Sequence, residues 1–284
     1  MTALASGNLI VIVVAFVAAM VTGALGYGFS SITVPIALLF IPSRTLAPAL
    51  VLLELATNLL GLVMHRREVP GVFRRMLPLL IGLLPGVGLG AWVLSASSGT
   101  PLKVATYAVL LPLVVAQTAG LRWPLRREKT AAVPAGFLVG ALYSATTISG
   151  PPIALFLNNQ GLAQTQFRAA IYLIRVVESA TTTLAYLCLG LFVTPALGLA
   201  GTLTPSLVLG LPVGILLLRR VDAESFRRLS MAASAAIIAF GLARALQEAT
   251  SLPSLVTYGG AFVVLAFEGY LLQRFFTGRA RKAA

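Results

Sequence analysis

Residues 143–152 read Tyr143-Ser144-Ala145-Thr146-Thr147-Ile148-Ser149-Gly150-Pro151-Pro152, and they interrupt an otherwise apolar stretch, 131–157. A helix needs about 20 apolar residues to cross a bilayer, so this stretch is too short for two full spans. Gly and Pro beside small hydroxyl residues break helices, and inside a membrane such breaks persist where protein holds the freed backbone groups. The pattern predicts a re-entrant hairpin of two half-helices. Residues 8–41 behave alike: they are too long for one ordinary span and are interrupted by Gly23, Gly26, Gly28 and Pro35. An ordinary single span is the alternative reading there.

Outward from these two stretches lie simple spans at 46–64, 76–96, 103–120, 168–190, 196–218, 229–247 and 252–273. The whole chain of 284 residues is 58% hydrophobic and only 10% charged. Soluble domains carry about 25% charge, so a water-soluble globule is excluded. The 21 Lys and Arg outnumber the 8 Asp and Glu, but they fall between apolar stretches, where topology rather than nucleic acid explains them. One Cys, Cys188, forbids an internal disulfide, and one His, His65, excludes a multi-His metal site. Residues 1–6 hold no Lys or Arg, so the segment from Gly7 is expected to belong to the mature protein rather than to a signal peptide.

Basic clusters occur at Arg66, Arg67, Arg74 and Arg75, at Arg122, Arg126, Arg127 and Lys129, at Arg219, Arg220, Arg227 and Arg228, and in a tail with Arg274, Arg279, Arg281 and Lys282. All four are expected in the cytoplasm, with the loops 97–102, 191–195 and 248–251, which hold no Lys or Arg, outside. Three apolar segments separate the second and third clusters, and an odd number of crossings cannot return the chain to one side. The broken 131–157 is therefore expected not to cross.

An internal repeat accompanies this arrangement. Gly23-Ala24-Leu25 recurs as Gly140-Ala141-Leu142, and Pro35-Ile36-Ala37-Leu38 as Pro152-Ile153-Ala154-Leu155, both at an offset of 117. Arg44 and Glu54 match Arg168 and Glu178, and Thr57-Asn58 matches Thr181-Thr182, at an offset of 124. The expected fold is an all-α polytopic membrane protein of two inverted repeats. Each repeat is a broken hairpin plus three spans. The first covers 1–126, the second 127–250, and 251–284 adds a final helix and basic tail. Inverted repeats with discontinuous helices place a substrate site near the midplane.

The hairpin tips supply the candidate ligands: Gly28, Ser30, Ser31 and Thr33 from the first, Ser144, Thr146, Thr147, Ser149 and Gly150 from the second. Half-helix N-termini offer free N–H groups and a positive dipole end, and hydroxyls add donors, which together suit an anion. Close helix packing is the competing role for small residues. Charges inside spans are costly and by default mark a pathway. Arg175 and Glu178 lie three apart on one helical face and can pair. Arg175 is a candidate anion ligand, and Glu54 and Glu178 are candidate proton carriers; a structural pair is the alternative. Glu268 reads as structural, Cys188 as a small apolar filler, His65 and Trp123 as interface residues, and Pro85 and Pro212 as kinks. HExxH, GxSxG and Walker A motifs are missing from the sequence, so no catalytic residue, metal or cofactor is expected.

The chain resembles the sulfite exporter TauE/SafE family of membrane permeases. The resemblance rests on Gly23-Ala24-Leu25-Gly26-Tyr27-Gly28-Phe29 leading to Pro35, on Ser149-Gly150-Pro151-Pro152, on Phe167-Arg168-Ala169, and on Arg219-Arg220-Val221-Asp222-Ala223-Glu224-Ser225-Phe226-Arg227-Arg228. It implies a proton-linked secondary transporter of small sulfur-containing anions, sulfite or organosulfonates, in the cytoplasmic (inner) membrane, with the C-terminus inside. A passive anion channel and a transporter of carboxylates remain alternatives. The expected partners are the anionic substrate and the lipid bilayer, with no nucleic acid; small-residue faces allow a homodimer.

Overall fold

The computed structural model describes residues 2–97, 99–120, 128–158, 160–218, 223–250 and 253–283. Among them no strand occurs. The helices are α1 (Thr2–Leu25), α2 (Phe29–Ala37), α3 (Ser43–Met64), α4 (Val69–Ala96), α5 (Thr100–Thr118), α6 (Glu128–Thr146), α7 (Gly150–Asn158), α8 (Gln164–Cys188), α9 (Thr194–Leu218), α10 (Ala223–Ala249) and α11 (Ser254–Ala283). Arg122, Trp123, Arg126 and Arg127, and Arg219, Arg220 and Asp222, lie outside the described residues.

Both apolar stretches are broken. The chain leaves α1 through Gly26 (φ 86°) and Gly28 (φ 115°), a left-handed region open to glycine without a Cβ penalty. It leaves α6 through Thr147 (φ 60°), whose hydroxyl donates to the Thr146 carbonyl at 2.7 Å. Pro35 does not make the first break; it sits inside α2. The helices also continue through Pro85 and Pro212.

Hydrophobic burial does not drive helices together in lipid; close van der Waals approach does. The chain supplies it with glycine. Gly82, Gly86 and Gly90 of α4 lie on the carbonyl oxygens of Val133, Phe137 and Ala141, and Gly136 and Gly140 of α6 lie on those of Leu79 and Leu83. A Cβ at any of these positions would collide with backbone. The same device joins α1 to α9, with Gly23 on the Leu211 carbonyl, Gly210 on Phe16 and Gly214 on Met20. The residue order makes both pairs parallel. In contrast α3 and α8 are antiparallel: Ala47 and Val51 cluster with Tyr186, whereas Gly61 meets Tyr172.

The packing is matched between halves. α4 on α6 answers α9 on α1, α3 on α9 answers α8 on α4, and α2 on α10 answers α7 on α5; α3 packs on α8 and α5 on α10. Five helices, α3, α4, α9, α10 and α11, are long and apolar enough to cross a membrane. α8 is not among them, because Arg168, Arg175 and Glu178 lower its hydropathy, yet it runs beside α3 through the same depth. α11 shows Leu255, Val256, Phe262 and Val263 on its exposed face, as a lipid-facing helix does. The chain is an integral, polytopic, all-helical membrane protein.

Candidate functional site

The two breaks converge on α3 and α8, the antiparallel central pair. Tyr27 beside the first break reaches Gly150 at the second, where an added Cβ would lie 3.0 Å from the tyrosine ring and 3.4 Å from Arg175 Nη1. Arg175 is 4% exposed and Glu54 1%, and Arg175 Nη2 meets Glu54 Oε1 at 2.6 Å. Ser30 Oγ donates to the same oxygen at 2.6 Å, and Tyr143 Oη donates to Glu54 Oε2 at 2.8 Å. So Glu54 gathers a donor from the first break, one from α6 and one from α8.

Glu178 is fully buried and differently served. Ser149 Oγ donates to its Oε2 at 2.6 Å, and its Oε1 has no partner. The Arg175–Glu178 pair that helical spacing allows is not made. The two share a helical face, but the guanidinium crosses to α3 and pairs with Glu54. Helical spacing allows the i, i+3 pair, and a second, buried carboxylate within reach on the facing helix takes it instead.

Thr57 and Thr181, each three residues beyond a central glutamate, make matching hydrogen bonds. Thr57 Oγ1 donates to the carbonyls of Leu53 and Glu54, and Thr181 Oγ1 donates to those of Val177 and Glu178. Asn58 and Thr182, one turn beyond each glutamate, are both buried, and Asn58 Nδ2 and Thr182 Oγ1 both lack a partner. So do Arg175 Nε and Thr33 Oγ1. Native proteins leave few buried polar atoms unpaired, so five around one pair of helices mark this as the polar centre of the molecule.

Of the candidate ligands, Ser30, Ser149, Gly150 and Arg175 come together with Glu54 and Glu178. Gly28 forms the left-handed bend before α2, and Ser31 and Thr33 are buried on α2. Ser144 is turned to α4: its hydroxyl donates to the carbonyls of Val87 and Gly140 at 2.9 and 2.8 Å, which is a packing contact. Thr146 Oγ1 bonds the Leu142 carbonyl at 2.7 Å and takes the Ile148 N–H at 3.2 Å, so it shapes the bend. His65 stacks on Tyr172 with ring centroids 5.3 Å apart. Glu268 is buried on α11, away from this centre. Reading the sequence missed Tyr143 as a partner of Glu54. Its signal was an aromatic hydroxyl at the edge of the interrupted stretch.

A polytopic helical bundle whose broken helices meet at buried charges is the build of a membrane transport protein. The chain belongs to the sulfite exporter TauE/SafE family, whose profile matches residues 11–241. No curated protein and no solved structure matches it.

Proposed function

We propose that the protein is a secondary transporter of small sulfur-containing anions, sulfite or organosulfonates, that alternates access around the centre between the two helix breaks. The family supports the substrate class. The observation that carries the mechanism is one buried guanidinium, Arg175, between two buried carboxylates, Glu54 and Glu178. With both carboxylates ionised the centre is net negative and repels an anion. A proton on Glu178 makes it neutral, and only then does Arg175 attract a substrate. Anion binding and protonation are thereby linked, which is the requirement for proton-coupled transport. Glu178 is the proton carrier on this reading, because Oε1 is unpartnered whereas both oxygens of Glu54 are engaged. Arg175 Nε is the unpaired donor on hand for the oxyanion, with the Gly150 N–H beside it; Pro151 and Pro152, which follow, carry no N–H.

The two halves are read as inverted repeats, supported by the matched helix contacts and by the paired hydrogen bonds of Thr57 and Thr181. The inside C-terminus is read from the basic tail by the positive-inside rule, and the cytoplasmic membrane from what the family resemblance implies.

Labelled sulfite flux in proteoliposomes, with and without a proton gradient, tests the proposal on wild type, Glu178→Gln and Arg175→Ala. Saturable, gradient-driven flux is expected, uncoupled by the first variant and abolished by the second. Flux that ignores the gradient in the wild type would replace the coupled carrier with a channel. Carboxylate flux in the absence of sulfite flux would change the substrate class.

A further inference from the structure

The ends of α3, α4 and α5 enclose a second feature that the central site does not use. A cavity of about 240 Å³ lies between the α2–α3 link, the α4–α5 link and the first turn of α5. Its polar lining is Ser43, Arg44, Ser97 and Lys103, and among the described residues no Asp or Glu lines it. Arg44 Nε donates to the Leu94 carbonyl at 3.4 Å, and its Nη2 donates to that of Ser95. The guanidinium thus offsets the negative C-terminal end of α4. Lys103 makes no ion pair among the described residues. The N-terminal ends of α3 at Ser43 and of α5 at Thr100 add positive dipole ends.

Beside the cavity lies a narrow neck, a space of about 10 Å³ that shares Ser43 with it and is bounded by Thr106 and by Thr146 and Thr147 of the second helix break. That volume is about one water, so the neck is shut to an oxyanion while the outer chamber is open. This is also the end of the bundle that carries the links 97–102 and 191–195, where the loop-charge rule leaves no basic cluster. Two cations at such an end do not serve topology, and they line the chamber that neighbours the second break.

We propose that Arg44 and Lys103 form an anion vestibule, a second, weaker site for small oxyanions outside the neck that leads to the central site. It rests on the transport reading above. The vestibule raises the local concentration of anion entering from that face and is the last stop of anion leaving through it. Focused positive charge of this kind speeds association about tenfold or more and is lost as salt screens it.

The test uses the full chain in proteoliposomes of known orientation, with sulfite as the probe, and compares Lys103→Gln, Lys103→Glu and Lys103→Arg. Arg44 is left intact because it also caps α4. Sulfite presented to the vestibule face is expected to show a KM raised about three- to tenfold in the glutamine variant, more in the glutamate variant, and near wild type in the arginine variant. The maximal rate should hold, and the difference should vanish in high salt. Wild-type KM and salt dependence in Lys103→Glu, with transport intact, would overturn the vestibule and leave the transport reading standing. A wild type that moves no sulfite would overturn the transport reading instead. The vestibule is then judged by whether sulfite protects Lys103 from an amine-acylating reagent, read by mass spectrometry; failure to protect overturns it too.

Discussion

Removing the guanidinium of Arg175 isolates what the buried ion pair does for the fold. In Arg175→Met, Glu54 keeps two hydroxyl donors, Ser30 and Tyr143, but loses its only cation in a position 1% exposed. Stranding one member of a buried pair costs about 3–5 kcal/mol, or roughly two to four orders of magnitude in the folded-to-unfolded ratio. Glu54→Gln strands the guanidinium and should cost about as much. The double variant strands neither. The Gln carbonyl oxygen still accepts one hydroxyl, so its cost should be about 1–2 kcal/mol. The two single costs should therefore exceed the double by more than about 3 kcal/mol. Equilibrium unfolding in mixed micelles, followed by helical circular dichroism, reads all three. Single costs that add to the double within about 0.5 kcal/mol would refute the pairing as a source of stability. Arg175 would then serve the anion alone.

Three further outcomes are expected. Gly86→Val should destabilise the bundle by about 1–3 kcal/mol or more, because its side chain meets the Phe137 carbonyl rather than space; a lowered Tm in detergent checks it. Gly88→Ala, on the same helix with nothing beside it, should leave the Tm unchanged. Ser149→Ala removes the one hydroxyl that meets Glu178 and should shift the pH profile of transport while Ser144→Ala, which loses only bonds to α4 and α6 carbonyls, should not. Cys188 is exposed at the end of α8 that lies beside the start of α3, so a membrane-impermeant maleimide should label it from the outer face; labelling only from the cytoplasmic face would reverse the orientation read from the loops.

The breaks were legible because the residues that make them are chemically distinctive. Gly26 and Gly28 stand where positive φ is needed, and the run from Tyr143 to Pro152 cannot continue as one helix. The intramembrane charges were legible because charge is rare in apolar spans. Their pairing was not. Arg175 is three residues from Glu178 and 121 from Glu54, and nothing in spacing along the chain says that α3 lies opposite α8 with Glu54 at the level of Arg175. The hydroxyl partners escaped for a related reason. The offset of 117 aligns Ser30 with Thr147, yet the hydroxyl that meets the second glutamate is Ser149, because the second break, though also three residues long, lies four residues later than that offset places it. Arg44 and Lys103 are far apart in sequence and meet only when the ends of α3 and α5 are brought together.

The places where the halves disagree carry the chemistry. At the offset of 124 the counterpart of Arg175 is Val51, and at 117 the counterpart of Tyr143 is Gly26. Both departures act on Glu54: Arg175 gives it a cation and Tyr143 a third donor, while Glu178 receives Ser149 alone. Two equal carboxylates would compete for any shared proton and leave its position undefined. Here one carboxylate is fixed by its partners as the counter-ion and the other is left free to change charge. On the proposed reading of two inverted repeats, the matched frame lets two helix breaks face one another. The single arginine then decides that only one of the two glutamates responds when an anion arrives. On the proposed reading, the proton therefore has one carrier in both facing states, so one proton accompanies each anion. Coupling stoichiometry measured from the reversal potential of sulfite flux should accordingly be lost in Glu178→Gln, and also in whatever fraction of Glu54→Gln folds, because removing either carboxylate leaves a neutral centre that takes the anion without a proton.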